Sequence, residues 1–253
     1  MGDGGVKAIL FDLDNTLIDT AGASRAAILE VTELLKTRFD DEHVVGDICE
    51  RFNMKLLQES FQPSRDLTID QVRIGHWDQA IREAGGKGPD SAVAARCYWT
   101  WKNTRLTLLS IPEPFRNLLL DLRGTLKLLL LTNGEVQTQR EKIQAVGCEG
   151  LFDAIVVGGD HAEEKPALSI FHHCFQVLGV GPKDCVMVGD SLGTDILGGI
   201  NAGVRATVWV NGTGTASPDV SIKPDYTVPS VLDLPSVLAC LNHSVDRSAM
   251  RSI

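Results

Sequence analysis

Short, nearly continuous apolar segments recur along the chain, at residues 6–11, 126–131, 154–157, 185–188, 206–210 and 226–228. From the second segment onward, patterns with helical periodicity separate them. Strands that are apolar on both faces are typical of a parallel sheet covered by helices on both sides. The sequence therefore predicts an α/β fold built around such a sheet.

The region between the first and second apolar segments contains helical patterns only. Four successive stretches repeat apolar residues on one helical face, as Ile28, Val31 and Leu35 do in the first. We assign Trp77, Trp99 and Trp101 to the interior of this helical region. We expect residues 21–106 to form a helical domain inserted after the first strand, and residues 1–20 and 107–253 to form the α/β domain.

The first strand ends at two acids, Asp12 and Asp14, which are two residues apart. Two neighbouring carboxylates repel each other, and both stay ionised at low cost only when a cation lies between them. A simple turn is the alternative, because Asp and Asn often close loops. The spacing alone leaves both interpretations open.

Polar groups follow other predicted strands as well. The second strand is followed by Thr132 and Asn133, the loop after the third strand contains Lys165, and the fourth strand is followed by Asp190 and then Asp195. Each group taken alone could be a turn residue, a solvated cation or a helix cap. Ligands of parallel α/β sheets bind outside the carboxyl ends of the strands, so we expect these groups to meet at one edge.

Acids, one amine and one hydroxyl at a single edge indicate phosphoryl transfer. Acids repel a phosphate dianion, so a divalent cation is required, and oxygen ligands with remaining waters suit Mg²⁺. In this interpretation Asp12 attacks phosphorus as a carboxylate nucleophile, and Asp14 serves as general acid and then general base. We expect Thr132, the Asn133 amide and Lys165 to bind the phosphoryl oxygens.

Four short motifs stand in order in this chain: Asp12-Leu13-Asp14-Asn15-Thr16, Thr132-Asn133-Gly134, Lys165-Pro166, and Gly189-Asp190-Ser191-Leu192-Gly193-Thr194-Asp195. Together they resemble the motifs of the haloacid dehalogenase superfamily. The resemblance implies a Rossmann-like core with a mobile helical cap. It also implies that Asp12, the Asp14 carbonyl and Asp190 hold Mg²⁺, that Asp195 supports these ligands, and that Leu13 and Asp14 join the phosphate-binding groups.

In having an acid at position 14, the chain resembles the phosphatases and phosphomutases of this superfamily. The resemblance favours an Mg²⁺-dependent phosphatase that acts on a small sugar-acid phosphate through an aspartyl-phosphate. A phosphatase or phosphomutase for another small sugar phosphate is the first alternative, and a non-catalytic phosphate sensor is the second. A sugar acid carries a carboxylate, for which we select Arg73 and Arg105 because each lies near a tryptophan of the predicted cap.

Composition limits the partners and the location. A net charge of −9 and a pI near 5.1 argue against a nucleic-acid partner. We find no apolar run long enough to cross a membrane. The six cysteines show no pairing pattern, which favours reduced thiols and a cytoplasmic protein. The oligomeric state stays open between a monomer and a weak dimer.

Overall fold

A computed structural model describes residues 5–59, 67–85, 91–214 and 221–249 of the chain. The chain divides into two compact units. The first unit comprises Met1–Ile18 and Ser110–Ile253, and the second comprises Asp19–Leu109.

A six-stranded parallel sheet forms the centre of the first unit. The strands are β1 (Ala8–Phe11), β2 (Lys127–Thr132), β3 (Ala154–Val157), β4 (Cys185–Gly189), β5 (Ala206–Val210) and β6 (Tyr226–Val228). Their order in the sheet is β3-β2-β1-β4-β5-β6, and every neighbouring pair is parallel. This is the strand order of the doubly wound Rossmann fold, in which the direction of winding reverses beside β1. The predicted fold class is confirmed.

The described residues of the second unit form four helices: α1 (Thr20–Lys36), α2 (Glu42–Leu57), α3 (Ile69–Glu83) and α4 (Ser91–Leu108). Phe52 stacks on Trp77 with ring centroids 3.8 Å apart, and Trp101 meets Phe52 edge-on at 5.2 Å. Trp77 and Trp101 are buried, as predicted. The assignment of Trp99 is wrong: it is 43% exposed, because two positions along a helix turn a side chain to another face.

Within the part of the first unit that the structure describes, five α-helices accompany the sheet: α5 (Glu113–Arg123), α6 (Val136–Ala145), α7 (Leu168–Leu178), α8 (Leu197–Ala202) and α9 (Leu234–Ala249). Leu10, Leu129 and Met187 of the sheet share one buried apolar cluster with Phe171 of α7. The last helix extends past Asn242 and ends at Ala249.

None of the helices in the described part of the chain combines the length and the apolar character that crossing a membrane requires.

Candidate active site

The sheet brings the ends of three strands side by side. β1 pairs with β2 on one side and with β4 on the other, and Phe11 lies opposite both Leu130 and Val188. The Asp12 amide continues this ladder by donating to the Val188 carbonyl at 2.9 Å. The residues that follow these strands are therefore neighbours, as the strand-end argument predicted.

Asp12 lies at the centre of this edge and is only 6% exposed. Its Oδ1 atom accepts a hydrogen bond from Lys165 Nζ at 2.7 Å, and its Oδ2 atom accepts one from Thr16 Oγ1 at 3.1 Å. Thr16 Oγ1 in turn accepts the backbone N–H of Asp190 at 3.0 Å. One threonine hydroxyl thus connects the first and fourth motifs and fixes the orientation of the Asp12 carboxylate.

Lys165 is 4% exposed and donates to three protein acceptors. Its Nζ atom lies 2.7 Å from Asp12 Oδ1, 2.7 Å from the Leu131 carbonyl and 2.8 Å from Asp195 Oδ1. Burial acts to lower its pKa, but the charges of Asp12 and Asp195 outweigh burial and raise the pKa above its ordinary value. An ammonium group has three protons, so these contacts use its full donor capacity.

The carboxylates of Asp12, Asp190 and Asp195 form an acid cluster in which one oxygen from each lies within 4.8 Å of the others. Burial raises the pKa of Asp12 to about 7, although the Lys165 charge opposes this shift. Burial, followed by the charge of Asp195, raises the pKa of Asp190 to about 6. Negative charge therefore exceeds positive charge in the cluster, and an oxygen-only donor set of this kind suits a hard divalent cation.

A π-helical turn, Leu192–Ile196, places Asp195 in the cluster. Such turns are rare and are frequent at functional sites. Asp195 Oδ2 accepts the Ser191 backbone N–H at 3.0 Å. A Cβ atom on Gly189 would lie 2.2 Å from that same carboxylate oxygen, so only glycine leaves room for Asp195 here. Both Asp195 oxygens have protein partners, which suits the supporting position that the resemblance implies.

Asp14 lies in a tight turn after Asp12. Asn15 adopts the left-handed conformation with φ of 59°, and its N–H donates to the Ile18 carbonyl at 2.8 Å. The Asp14 carboxylate accepts Lys142 Nζ on both oxygens at 2.8 Å, and Gln139 Nε2 lies 3.3 Å from its Oδ2 atom. These contacts occupy the Asp14 side chain. They are compatible with the resemblance, which assigns the backbone carbonyl of Asp14 to the metal.

The other predicted phosphate ligands surround Asp12 but differ in what they can offer. The Leu13 side chain is buried in the core, so only its backbone is available to a ligand. The Asn133 side chain bonds the Lys165 backbone in both directions, with Nδ2 donating to the carbonyl at 2.8 Å and Oδ1 accepting the N–H at 3.0 Å. Its backbone N–H is therefore the group left for phosphate. Thr132 Oγ1 donates to Gln139 Oε1 at 3.3 Å.

The two arginines selected in the helical unit have different surroundings. Arg73 is buried and pairs with Glu59, with Nη2 2.8 Å from Oε1 and Nε 3.1 Å from Oε2. Arg105 is half-buried, and its guanidinium carbon lies 4.3 Å from the centre of the Trp101 ring. Arg73 thus has an anionic partner inside its own unit, which gives it a structural role that the sequence did not indicate.

Sequence reasoning missed three contributors to the site: the Thr16 hydroxyl as a bridge, and Gln139 and Lys142 as partners of Asp14. One signal was available for the last two. The sequence of α6 contains few apolar residues, so polar side chains three apart must occupy its buried face.

A model of the haloacid dehalogenase-like hydrolases matches residues 6–203 of this chain. The chain belongs to this family. The superfamily resemblance of the four motifs is thereby confirmed. Among curated members, the chain is 50% identical to the N-acylneuraminate-9-phosphatase of Rattus norvegicus over 248 residues, which cover 98% of this chain and 100% of the relative. The human enzyme of the same name is 49% identical over the same coverage.

Two further matches are more distant. A pyrimidine 5'-nucleotidase of Escherichia coli is 36% identical over 174 residues, covering 68% of this chain and 72% of the relative. The solved structure of a HAD-hydrolase from Bacillus subtilis with magnesium bound has a TM-score of 0.68 at 22% identity, and the match covers 93% of this chain and 100% of the Bacillus chain. At that identity the likeness shows the fold alone.

Proposed function

We propose that this hydrolase is an Mg²⁺-dependent phosphatase that converts N-acylneuraminate 9-phosphate into N-acylneuraminate and phosphate. The observation that carries the proposal is the acid cluster of Asp12, Asp190 and Asp195, within 4.8 Å, at the carboxyl ends of parallel strands. The substrate is suggested by 50% identity, over nearly the whole chain, to a curated N-acylneuraminate-9-phosphatase.

Asp12 is the proposed nucleophile. One carboxylate oxygen attacks phosphorus while the bond from phosphorus to the sugar oxygen breaks, and Asp14 gives that oxygen its proton. Water then attacks the aspartyl-phosphate, gives a proton to Asp14 and releases phosphate. Lys165 and Thr16 support this role because their hydrogen bonds hold the Asp12 carboxylate in one orientation.

Mg²⁺ fits the donor set of this site. Asp12, Asp190 and the Asp14 carbonyl would hold the ion, and Asp195 would support them through Lys165 and the Ser191 backbone. The raised pKa values of Asp12 and Asp190 support a cation site, since buried carboxylates whose charge is not fully balanced by cations resist ionisation. When bound, the ion balances the charge of the acids and of the transferring phosphoryl group.

We also propose that the unit Asp19–Leu109 is the inserted cap and that Arg105 recognises the carboxylate of the substrate. Arg73 was selected equally; it is buried and pairs with Glu59. A cytosolic location is proposed from the thiols: the cysteines are unpaired, and Cys49, Cys97, Cys148, Cys174 and Cys185 are buried.

The test is a panel of phosphates assayed with Mg²⁺ and with excess chelator. We expect N-acetylneuraminate 9-phosphate to give the highest kcat/KM and chelator to abolish turnover. Preferential turnover of another sugar phosphate would overturn the substrate assignment, movement of phosphate between two sugar positions would indicate a mutase, and no turnover would indicate a sensor.

The same panel tests the arginines. Arg105→Ala should lower kcat/KM about 10- to 100-fold on the sialate phosphate but not on a small phosphate without a carboxylate. Arg73→Ala should lower both equally, through loss of folded protein. Equal losses from Arg105→Ala on both substrates would overturn its role in recognition.

A further inference from the structure

Lys142 is a buried cation that the chemistry described above does not use. It lies on α6, is 6% exposed, and its Nζ atom is 2.8 Å from both Oδ1 and Oδ2 of Asp14. Burying an ammonium group is costly unless an anion lies beside it. The contact with both oxygens fixes the plane of the Asp14 carboxylate as well as its position.

Gln139 makes a second contact with the same carboxylate. It is 4% exposed, its Nε2 atom lies 3.3 Å from Asp14 Oδ2, and its Oε1 atom accepts Thr132 Oγ1 at 3.3 Å. A Cβ atom on Gly134 would lie 2.8 Å from Gln139 Nε2, and Gly134 has φ of 117°. Glycine at this position therefore leaves space for the Gln139 amide.

The helix that carries both residues is firmly anchored where it begins. The Glu135 side chain caps α6 by accepting the N–H groups of Gln137 at 2.9 Å and Thr138 at 2.8 Å. Gln139 and Lys142 are three residues apart and so share one face of the helix. Because α6 follows β2 directly, the segment that places Thr132 at the site also places both partners of Asp14.

We propose that Lys142 and Gln139 are positioning residues that hold the Asp14 carboxylate for its two proton transfers. The inference rests on the proposed phosphatase function. The side chain of an aspartate has two rotatable bonds, and a misplaced proton donor can cost about 100-fold in rate. Removing Lys142 should leave Asp14 in place along the chain while its carboxylate samples unproductive orientations.

The experiment compares two leaving groups in Lys142→Met and Gln139→Leu. The leaving group of N-acetylneuraminate 9-phosphate is an alkoxide, which needs a proton as it departs. The leaving group of p-nitrophenyl phosphate is p-nitrophenolate, which departs without one. For Lys142→Met we expect kcat on the sialate phosphate to fall roughly 100-fold with KM little changed. On p-nitrophenyl phosphate the first turnover should keep its rate while later turnovers slow, giving a burst, because attack by water still needs Asp14.

Arg140→Met is the matched control. Arg140 lies on the same helix and pairs with Asp160 at 2.9 Å on the surface, so its loss removes a cation and an ion pair away from Asp14. We expect wild-type kinetics from Arg140→Met. For Gln139→Leu we expect kcat on the sialate phosphate to fall as in Lys142→Met, but by a smaller factor. If Lys142→Met does not fold, Gln139→Leu and Lys142→Gln carry the test.

Two results would overturn the inference in an active enzyme: unchanged kcat in the Lys142 and Gln139 variants, or equal losses on both substrates without a burst. A wild-type protein that turns over neither phosphate would instead overturn the proposed function.

Discussion

Asp12 and Glu59 are both carboxylates with little access to solvent, but they lie in different units and their pKa values move in opposite directions. Burial raises the pKa of Asp12 to about 7 despite its ion pair with Lys165. Burial also acts to raise the pKa of Glu59, but His76 and Arg73 outweigh it, and the pKa falls below its ordinary value of 4.5.

The difference lies in how the surrounding charge is shared. Glu59, whose side chain is 3% exposed, has Arg73 at 2.8 Å and His76 Nε2 at 3.4 Å. Lys165, in contrast, is shared between Asp12 and Asp195, and Asp190 adds a further acid. A buried carboxylate whose charge is balanced by neighbouring cations is typical of a structural ion pair. Buried carboxylates that outnumber their neighbouring cations are typical of a site that binds a cation or substrate.

Asp12→Asn should give the largest effect that distinguishes the Asp12 carboxylate from the Glu59 carboxylate. The amide has nearly the same shape but cannot attack phosphorus, so we expect no measurable turnover. The melting temperature without metal at pH 8 should hold or rise, because the raised pKa means that the ionised Asp12 carboxyl destabilises the fold there. Turnover at or above about a tenth of the wild-type rate would exclude Asp12 as the nucleophile.

Metal binding should act on the α/β unit and depend on pH. Below pH 6 the raised pKa values leave Asp12 and Asp190 largely protonated and poor as ligands, and above about pH 7 both are ionised. Mg²⁺ should therefore raise the melting temperature more at pH 8 than at pH 5.5, and Ca²⁺ should restore little activity after chelation. Equal shifts at both pH values, or full activity in excess chelator, would contradict this account.

Glu59→Gln should have the reverse effect of Asp12→Asn. Removing one partner of a buried pair leaves Arg73 uncompensated, so we expect a loss of about 3 kcal/mol in the free energy of unfolding, measured with urea at pH 7. Since the folded pKa of Glu59 is lowered, its contribution is present above the ordinary value of 4.5 and is lost as pH falls through the folded value. The gap between variant and wild type should narrow on acidification, and a constant gap would argue against the ion pair.

The smallest expected effect is on the rates at which the cysteine thiols are labelled. These rates report on the opening of each unit separately. Burial raises the pKa of Cys97 and of Cys174 to about 12, so both should react slowly in the native protein. Reductant should leave the melting temperature of the wild type unchanged. Glu59→Gln should speed labelling of Cys49 and Cys97 but not of Cys174 and Cys185. A fall of the melting temperature on reduction would reveal a disulfide.

The strand ends could be predicted because they obey a local rule. Apolar runs mark the strands, and parallel strands present their carboxyl ends at one edge, so Asp12, Thr132 and Asp190 were expected together. The pairing of Arg73 with Glu59 was not predicted. Arg73 lies on α3, whereas Glu59 precedes that helix in the chain, so helical periodicity gives no information about their contact. Lys142 was missed for a related reason: a lysine on a polar helix usually faces water, and only the sheet beside α6 makes its face an interior one.

The most direct test of the account is to identify the phosphorylated residue. The enzyme is mixed with N-acetylneuraminate 9-phosphate and Mg²⁺, quenched in acid within one turnover, digested and analysed by peptide mass spectrometry. We predict the added mass of one phosphoryl group on Asp12 in the wild type and none in Asp12→Asn. A phosphoryl group on another residue, or steady turnover with none on Asp12 at any time, would contradict the central claim.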